Sequence, residues 1–351
     1  MFQEVSEQLS RIDKLLPIWI VIAMVIGIGI GAIFPELPNI LDTYRIDSVS
    51  LPIAIGLLCM MYPPLAKVRY EKLSKAIVHW KMFAVSLTLN WIIGPVLMFS
   101  LAWIFLPDLP EYRTGIILVG LARCIAMVLI WNHLAGGSNE QGVILVALNS
   151  IFQILMYSIY AYFFITVLSS WITGSTEETL QISMTEIARS VIIFLGIPVI
   201  AGIITRFTLV KNKGKTWYDE KFIPKLNPTA ILGLLFTIIV MFSMKGELIL
   251  TLPWDVLRIS LPLVAYFLIM FAIAFFLSWA LKFTYPETAT LSLTAASNNF
   301  ELAIAVTIGI FGLSSNEAFA AIIGPLIEVP VLISLVYISL WLKNKLLWNP
   351  E

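Results

Sequence analysis

Apolar residues in this chain come in long runs, separated by short segments marked by charge, proline or glycine. A run of about twenty apolar residues is long enough to cross a hydrocarbon core of about 30 Å as a helix. The runs predict ten helices, at about 17–34, 50–66, 82–106, 114–134, 141–169, 187–209, 228–245, 255–282, 288–312 and 317–342. The pattern is weakest in the second, which holds Pro52, Pro63 and Pro64, and in the fourth and ninth, which carry polar residues in mid-run.

Shifting the chain on itself by 177 residues brings matching features together. Gly56-Leu57-Leu58 meets Gly233-Leu234-Leu235, and Ser138-Asn139-Glu140 meets Ser315-Asn316-Glu317. The second helix then corresponds to the seventh, and the four–five turn to the nine–ten turn. Five is an odd number, so the second copy enters the membrane from the opposite side, a symmetry characteristic of transporters. The expected fold is an all-α integral membrane protein of ten transmembrane helices in two inverted five-helix repeats, residues 17–170 and 187–345. Residues 1–16 are charged, lack a small-residue cleavage site, and read as a cytoplasmic N-terminal tail.

Composition supports a membrane protein: 59% of the residues are hydrophobic, only 13% are charged, and the mean hydropathy is +0.92. Sixteen of the 22 basic residues fall on one side of the predicted helices and five on the other, with Arg123 left inside the membrane. By the positive-inside rule both termini are cytoplasmic. A net charge of zero gives no sign of a nucleic-acid partner. The two cysteines, Cys59 and Cys124, cannot form a disulfide framework or a clustered metal motif.

The fourth and ninth runs carry the candidate chemistry. Ser297, Asn298 and Asn299 are poor in helix interiors and good at helix starts, because their side chains accept first-turn N–H groups. Asn298 followed by Glu301 resembles a capping box. A cap in mid-run points to two half-helices meeting there, and Gly120 marks the corresponding place in the fourth run. Interrupted helices at equivalent places in two repeats are the sequence pointer to a transport site. The alternative is that these residues are polar glue between continuous helices.

Under the 177-residue shift Cys124 falls opposite Glu301. An acid within a membrane helix costs about 2.5–3.5 kcal/mol on insertion and is a functional candidate on that ground. Cys124 adjoins Arg123, which favours thiolate, whereas Cys59 reads as packing. Arg123 lines the cavity, pairs with an acid such as Glu328, or snorkels. Glu328, and Asn149 and Gln153 on the helix after the first break, face the same cavity or bond neighbouring helices. His79 and His133 form no metal pair. No histidine base, aspartyl pair or zinc motif suits an intramembrane enzyme. No phosphate-binding loop of the ATPase type occurs, so a partner ATPase is not indicated.

Five segments carry a resemblance: GLLCMMYPPLAKV (56–68), GLARCIAMVLIWN (120–132), VALNSIFQ (146–153), TAASNNFELAIAV (294–306) and IGPLIEVPVL (323–332). Together they resemble the arsenite efflux permeases of the arsenical-resistance family, within the superfamily that also holds bile acid and riboflavin transporters. The resemblance covers essentially the whole chain, with Cys59 where an aliphatic residue is expected. It implies crossing broken helices 4 and 9 and extrusion of arsenite, with antimonite as a further substrate, through the cell membrane in exchange for protons. No cofactor is implied. The family's essential cysteine and acid map onto Cys124, as thiolate ligand to As(III), and Glu301, with the N–H groups near Asn298 and Asn299 completing the cage. The alternative on the same fold is a sodium- or proton-coupled carrier of an organic anion.

Overall fold

The structure, a computed structural model, describes residues 16–34, 36, 45–46, 49–71, 79–125, 127–174, 183–251, 253–312 and 315–348. The N-terminal tail expected over 1–16 lies almost wholly outside these residues. Each apolar run is helical. In chain order the helices are α1 (Leu16–Ile33), α2 (Leu51–Lys67), α3 (Trp80–Phe105), α4 (Pro110–Leu121), α5 (Val128–Leu134) and α6 (Asn139–Thr173). There follow α7 (Met184–Lys213), α8 (Ile223–Thr251), α9 (Pro253–Ala280), α10 (Tyr285–Ala296), α11 (Phe300–Phe311) and α12 (Asn316–Lys343). Six helices are long and apolar enough to cross a membrane, and α1, α2 and α11 are shorter apolar helices. Among the described residues the exception to an all-α fold is a two-residue strand pair, β1 (Arg45–Ile46) with β2 (Val49–Ser50).

The turns are built as their sequences dictate. Ser138 caps α6 by accepting from the Gln141 N–H at 3.4 Å, and Ser315 caps α12 by accepting from the Ala318 N–H at 3.1 Å. Both caps satisfy a first-turn donor that would otherwise be orphaned. Three long helices contain a π-helical stretch, Leu89–Ile93 in α3, Tyr162–Leu168 in α6 and Ile192–Gly196 in α7.

The helices pack in two groups. One joins α1, α2, α7 and α8; the other joins α3, α4, α9, α10, α11 and α12. The start of α7 touches α6 and α11 and so links the two. Small residues let backbones approach, which drives helix association where lipid is as apolar as the side chains. A Cβ on Gly233 of α8 would come within 2.9 Å of the Gly56 carbonyl oxygen of α2, so the two matching Gly-Leu-Leu motifs touch each other.

The ends of α2, α7 and the start of α8 are tied by charge. Arg206, counted in the sequence only as a loop cation, is buried and binds Glu71 at 2.6 Å and Asp219 at 3.3 Å. Arg69 reaches Asp219 at 3.2 Å, and the Tyr218 hydroxyl donates to the Ala66 carbonyl at 2.9 Å.

Candidate functional site

Two of the predicted helices are interrupted. The chain leaves α4 at Ala122, whose backbone is extended, and resumes as α5 at Val128. It leaves α10 at Ser297, also extended, and resumes as α11 at Phe300. The two interruptions meet: Arg123 and Asn298 form an antiparallel backbone bridge. The Asn299 N–H donates to the Ala122 carbonyl at 3.0 Å. The Asn298 amide donates to the carbonyls of Val119 at 2.9 Å and Ala122 at 3.1 Å. Carbonyls released at the end of α4 thus find partners on the other break, which is what makes interrupted backbone tolerable at membrane depth.

Two expectations need correction here. The cap of α11 is Asn299, not Asn298: its side chain accepts from the Leu302 N–H at 3.0 Å. Glu301 sits in the first turn of that helix and closes no capping box, because the third position is Leu302. The offset between the copies also shifts. Leu121 and Ala296 end their helices 175 residues apart, and so are the bridged Arg123 and Asn298, while the caps Ser138 and Ser315 keep 177. The first break is longer and its second half-helix shorter, so Asn299, not Glu301, occupies the position corresponding to Cys124.

Each break is held by a side chain from the long helix that follows it. Gln153 of α6 accepts from the Arg123 N–H at 3.0 Å and donates to the Arg123 carbonyl at 2.8 Å, imitating a neighbouring strand. Glu328 of α12 accepts from the Ser297 hydroxyl at 2.6 Å and from the Asn298 N–H at 3.3 Å. Asn149 accepts from the Trp91 indole at 3.4 Å, while its own amide N–H group has no partner among the described residues.

Cys124 is buried, 2% exposed. Its thiol is in hydrogen-bond contact with Ser297 and with the Val128 backbone, and the carboxyls of Glu328 and Glu301 are close enough to act on it electrostatically. Glu301 is half-buried and acts on Glu328 as well. The structure therefore brings Cys124, Ser297, Asn298, Glu301 and Glu328 to one place. Among the described residues no three His, Cys, Asp or Glu side chains stand close enough together to hold a metal ion, so this is a neighbourhood and not a preformed chelate. Cys59 differs from its expected role: it is exposed on α2 and not packed.

Arg123 does not pair with Glu328. Its Nη1 donates to the hydroxyl of Tyr266 in α9 at 2.6 Å. Sequence reading missed Tyr266, Ser297 as the link between thiol and carboxyl, and the cluster around Arg206. A tyrosine in mid-run was the available signal for the first.

Beyond the site, a cavity of about 310 Å³ opens between the two helix groups. Lys67, Arg69 and Asp219 line it from one group; Leu129 and Asn139 line it from the segment after the first break.

Comparison with known proteins accords with this architecture. The Sodium Bile acid symporter family matches residues 54–252. An arsenical-resistance protein Acr3 of Corynebacterium glutamicum is 50% identical over 97% of this chain and 92% of its own. The chain belongs to the Acr3 arsenical-resistance family. A second Acr3, from Alkaliphilus metalliredigens, is 32% identical over 97% of this chain and 94% of its own. An uncharacterized transporter of Synechocystis sp. is 35% identical over 98% and 91%. This Acr3-family chain is a multi-pass membrane transporter, not an enzyme.

Proposed function

We propose that the protein is a secondary transporter of the cell membrane that extrudes arsenite from the cytoplasm, accepts antimonite as a second substrate, and takes up protons in exchange. The observation that carries this reading is the seat of Cys124: a buried thiol at the bridged breaks, touching Ser297, with Glu328 behind that hydroxyl and Glu301 within electrostatic range. Two relatives that cover almost the whole chain bear the name arsenical-resistance protein.

Arsenous acid is a neutral trihydroxide whose soft arsenic prefers sulfur. The thiol of Cys124 displaces one hydroxide: an As–S bond forms, an As–O bond breaks, and the thiol proton leaves with the hydroxide as water. No electron is transferred. One sulfur with oxygen partners gives a grip that reverses on hydration, as a carrier requires, whereas three thiolates would hold too tightly. Glu301 and Glu328 accept hydrogen bonds from the remaining arsenic hydroxyls, and the carboxyl that takes a proton from outside releases it inside. Asn298 and Asn299 hold the breaks in register, and Gln153 fixes the backbone that presents Cys124.

In this reading the ten runs are ten membrane crossings in two inverted repeats, 17–170 and 187–345, with α4/α5 and α10/α11 as the broken fourth and ninth helices. Both termini and most basic residues face the cytoplasm. The contacts of Gly56 with Gly233 and of Arg123 with Asn298 support a two-fold relation, since counterparts touch. The cavity beside Leu129 lies on the side assigned to the cytoplasm and serves as the inner access route.

The test is As(III) uptake into everted membrane vesicles. An acid lumen is expected to drive uptake, a protonophore to stop it, and Cys124→Ser to abolish it. Uptake that ignores the pH gradient removes proton exchange, and uptake retained by Cys124→Ser removes the thiol.

A further inference from the structure

Arg123 is the group at the breaks that the transport cycle above leaves without a task. It is fully buried, 0% exposed. In extended backbone successive side chains leave on opposite sides. Cys124 meets Ser297, while the neighbouring guanidinium runs toward α3 and α9. Its Nη1 binds the Tyr266 hydroxyl at 2.6 Å, and that hydroxyl reaches the Ala295 carbonyl at 3.4 Å. Arg123 is also near enough to act electrostatically on Tyr157, whose hydroxyl donates to the Leu118 carbonyl at 2.8 Å.

Ala295 lies in the last turn of α10, and Leu118 in the last turn of α4. Each tyrosine therefore binds the C-terminal end of one half-helix, and the guanidinium is neighbour to both. The slot is shaped for it. A Cβ on Gly94 would stand 2.8 Å from Nη1 and 3.0 Å from the Tyr266 hydroxyl, so only glycine leaves room there. Nε and Nη2 have no hydrogen-bond partner among the described residues, and no carboxylate forms an ion pair with this cation.

What balances the charge is the pair of helix ends. A helix C-terminus carries the equivalent of about half a negative charge. Two such ends together are matched by one fixed positive charge. In carriers with interrupted helices, such carbonyl ends are where a coupling cation is bound. We infer that Arg123 is a built-in cation that permanently fills the place between the two half-helix C-termini where a coupling monovalent cation would otherwise sit, so that the carrier works without sodium. The consequence for flux rests on the transport reading above; the consequence for ion binding does not.

The test uses the purified full-length protein and sodium, the cation named in the matched family's description. Thermal midpoints are compared in sodium chloride and choline chloride at equal ionic strength. The wild type and Arg123→Lys are expected to show no difference. Arg123→Ser is expected to melt lower in choline and to recover by a few degrees as sodium rises, saturably, because an ion bound only by the folded state stabilises it. In vesicles, wild-type As(III) uptake is expected to be equal in the two salts. A sodium-dependent midpoint or flux in the wild type overturns the inference, as does a folded Arg123→Ser protein that ignores sodium. Should Arg123→Ser fail to fold, Arg123→Lys and Arg123→Gln decide. Retention of the fold and of sodium-indifferent uptake by lysine but not by glutamine supports the charge, and equal loss in both overturns it. If the wild type moves no arsenite at all, the transport reading fails while the thermal comparison still judges this one.

Discussion

Arg123 and Asn298, 175 residues apart, pair backbone to backbone where two interrupted helices meet. The pair is the structural centre of the site. It fixes Cys124 on one strand of the bridge beside Ser297 on the other, and two helices that follow the breaks, α6 and α12, lock it from outside through Gln153 and Glu328.

The bridge depends on Asn298. Its amide serves two carbonyls at the end of α4. Asn298→Ala leaves them unsatisfied and is expected to cost about 1–2 kcal/mol, read as a lower thermal midpoint in detergent. Asn299→Ala removes a single N-cap and is expected to cost about 1 kcal/mol, so it should melt between Asn298→Ala and the wild type.

The two carboxyls should separate by substitution. Glu328 uses one oxygen as acceptor for Ser297 and Asn298, and glutamine keeps an acceptor there. Glu328→Gln is therefore expected to melt close to the wild type, and Glu328→Ala to lose about 1–3 kcal/mol through the unpaired groups. Glu301 holds no such backbone group, so Glu301→Gln should melt normally yet abolish As(III) uptake. Thermal midpoints and vesicle flux on the three variants check this; a normally active Glu301→Gln contradicts the assigned role.

At the membrane-proximal cluster, partial burial acts to raise the Glu71 carboxyl, but hydrogen bonds and charge from Arg206 outweigh it and hold it below its ordinary value of 4.5. A carboxyl lowered on folding adds stability above its unfolded pKa, and that stability is lost as pH falls through the folded value. Acidification from about pH 7 to about pH 3 should therefore lower the wild-type midpoint more than that of Glu71→Gln. The side chain is 38% exposed, so solvent screening keeps the difference to a few degrees. Equal acid sensitivity in both proteins contradicts the assignment.

Much of this was legible in the sequence because it is written as apolar period and helix-start chemistry. All ten runs are helical, Ser138 and Ser315 cap as their turns require, and Ser297-Asn298-Asn299 interrupts its helix. The break in the fourth run was faint, since Gly120-Leu-Ala-Arg carries no capping side chain; its geometry is imposed from outside by Asn298 and Gln153. Position within a half-helix was also out of reach. A two-residue difference between the copies moves Glu301 away from the place opposite Cys124, and a rigid shift of the sequence cannot register it. The partner of Arg123 was hidden for a similar reason: Tyr266 lies 143 residues away, on a helix whose face is set by tertiary packing.

The most direct test of the central claim is arsenic K-edge X-ray absorption on the purified protein loaded with As(III). The account predicts a single sulfur neighbour, completed by oxygen, in the wild type and in Cys59→Ser, and an all-oxygen shell in Cys124→Ser. A wild-type shell without sulfur, or a sulfur neighbour that survives Cys124→Ser, would contradict it.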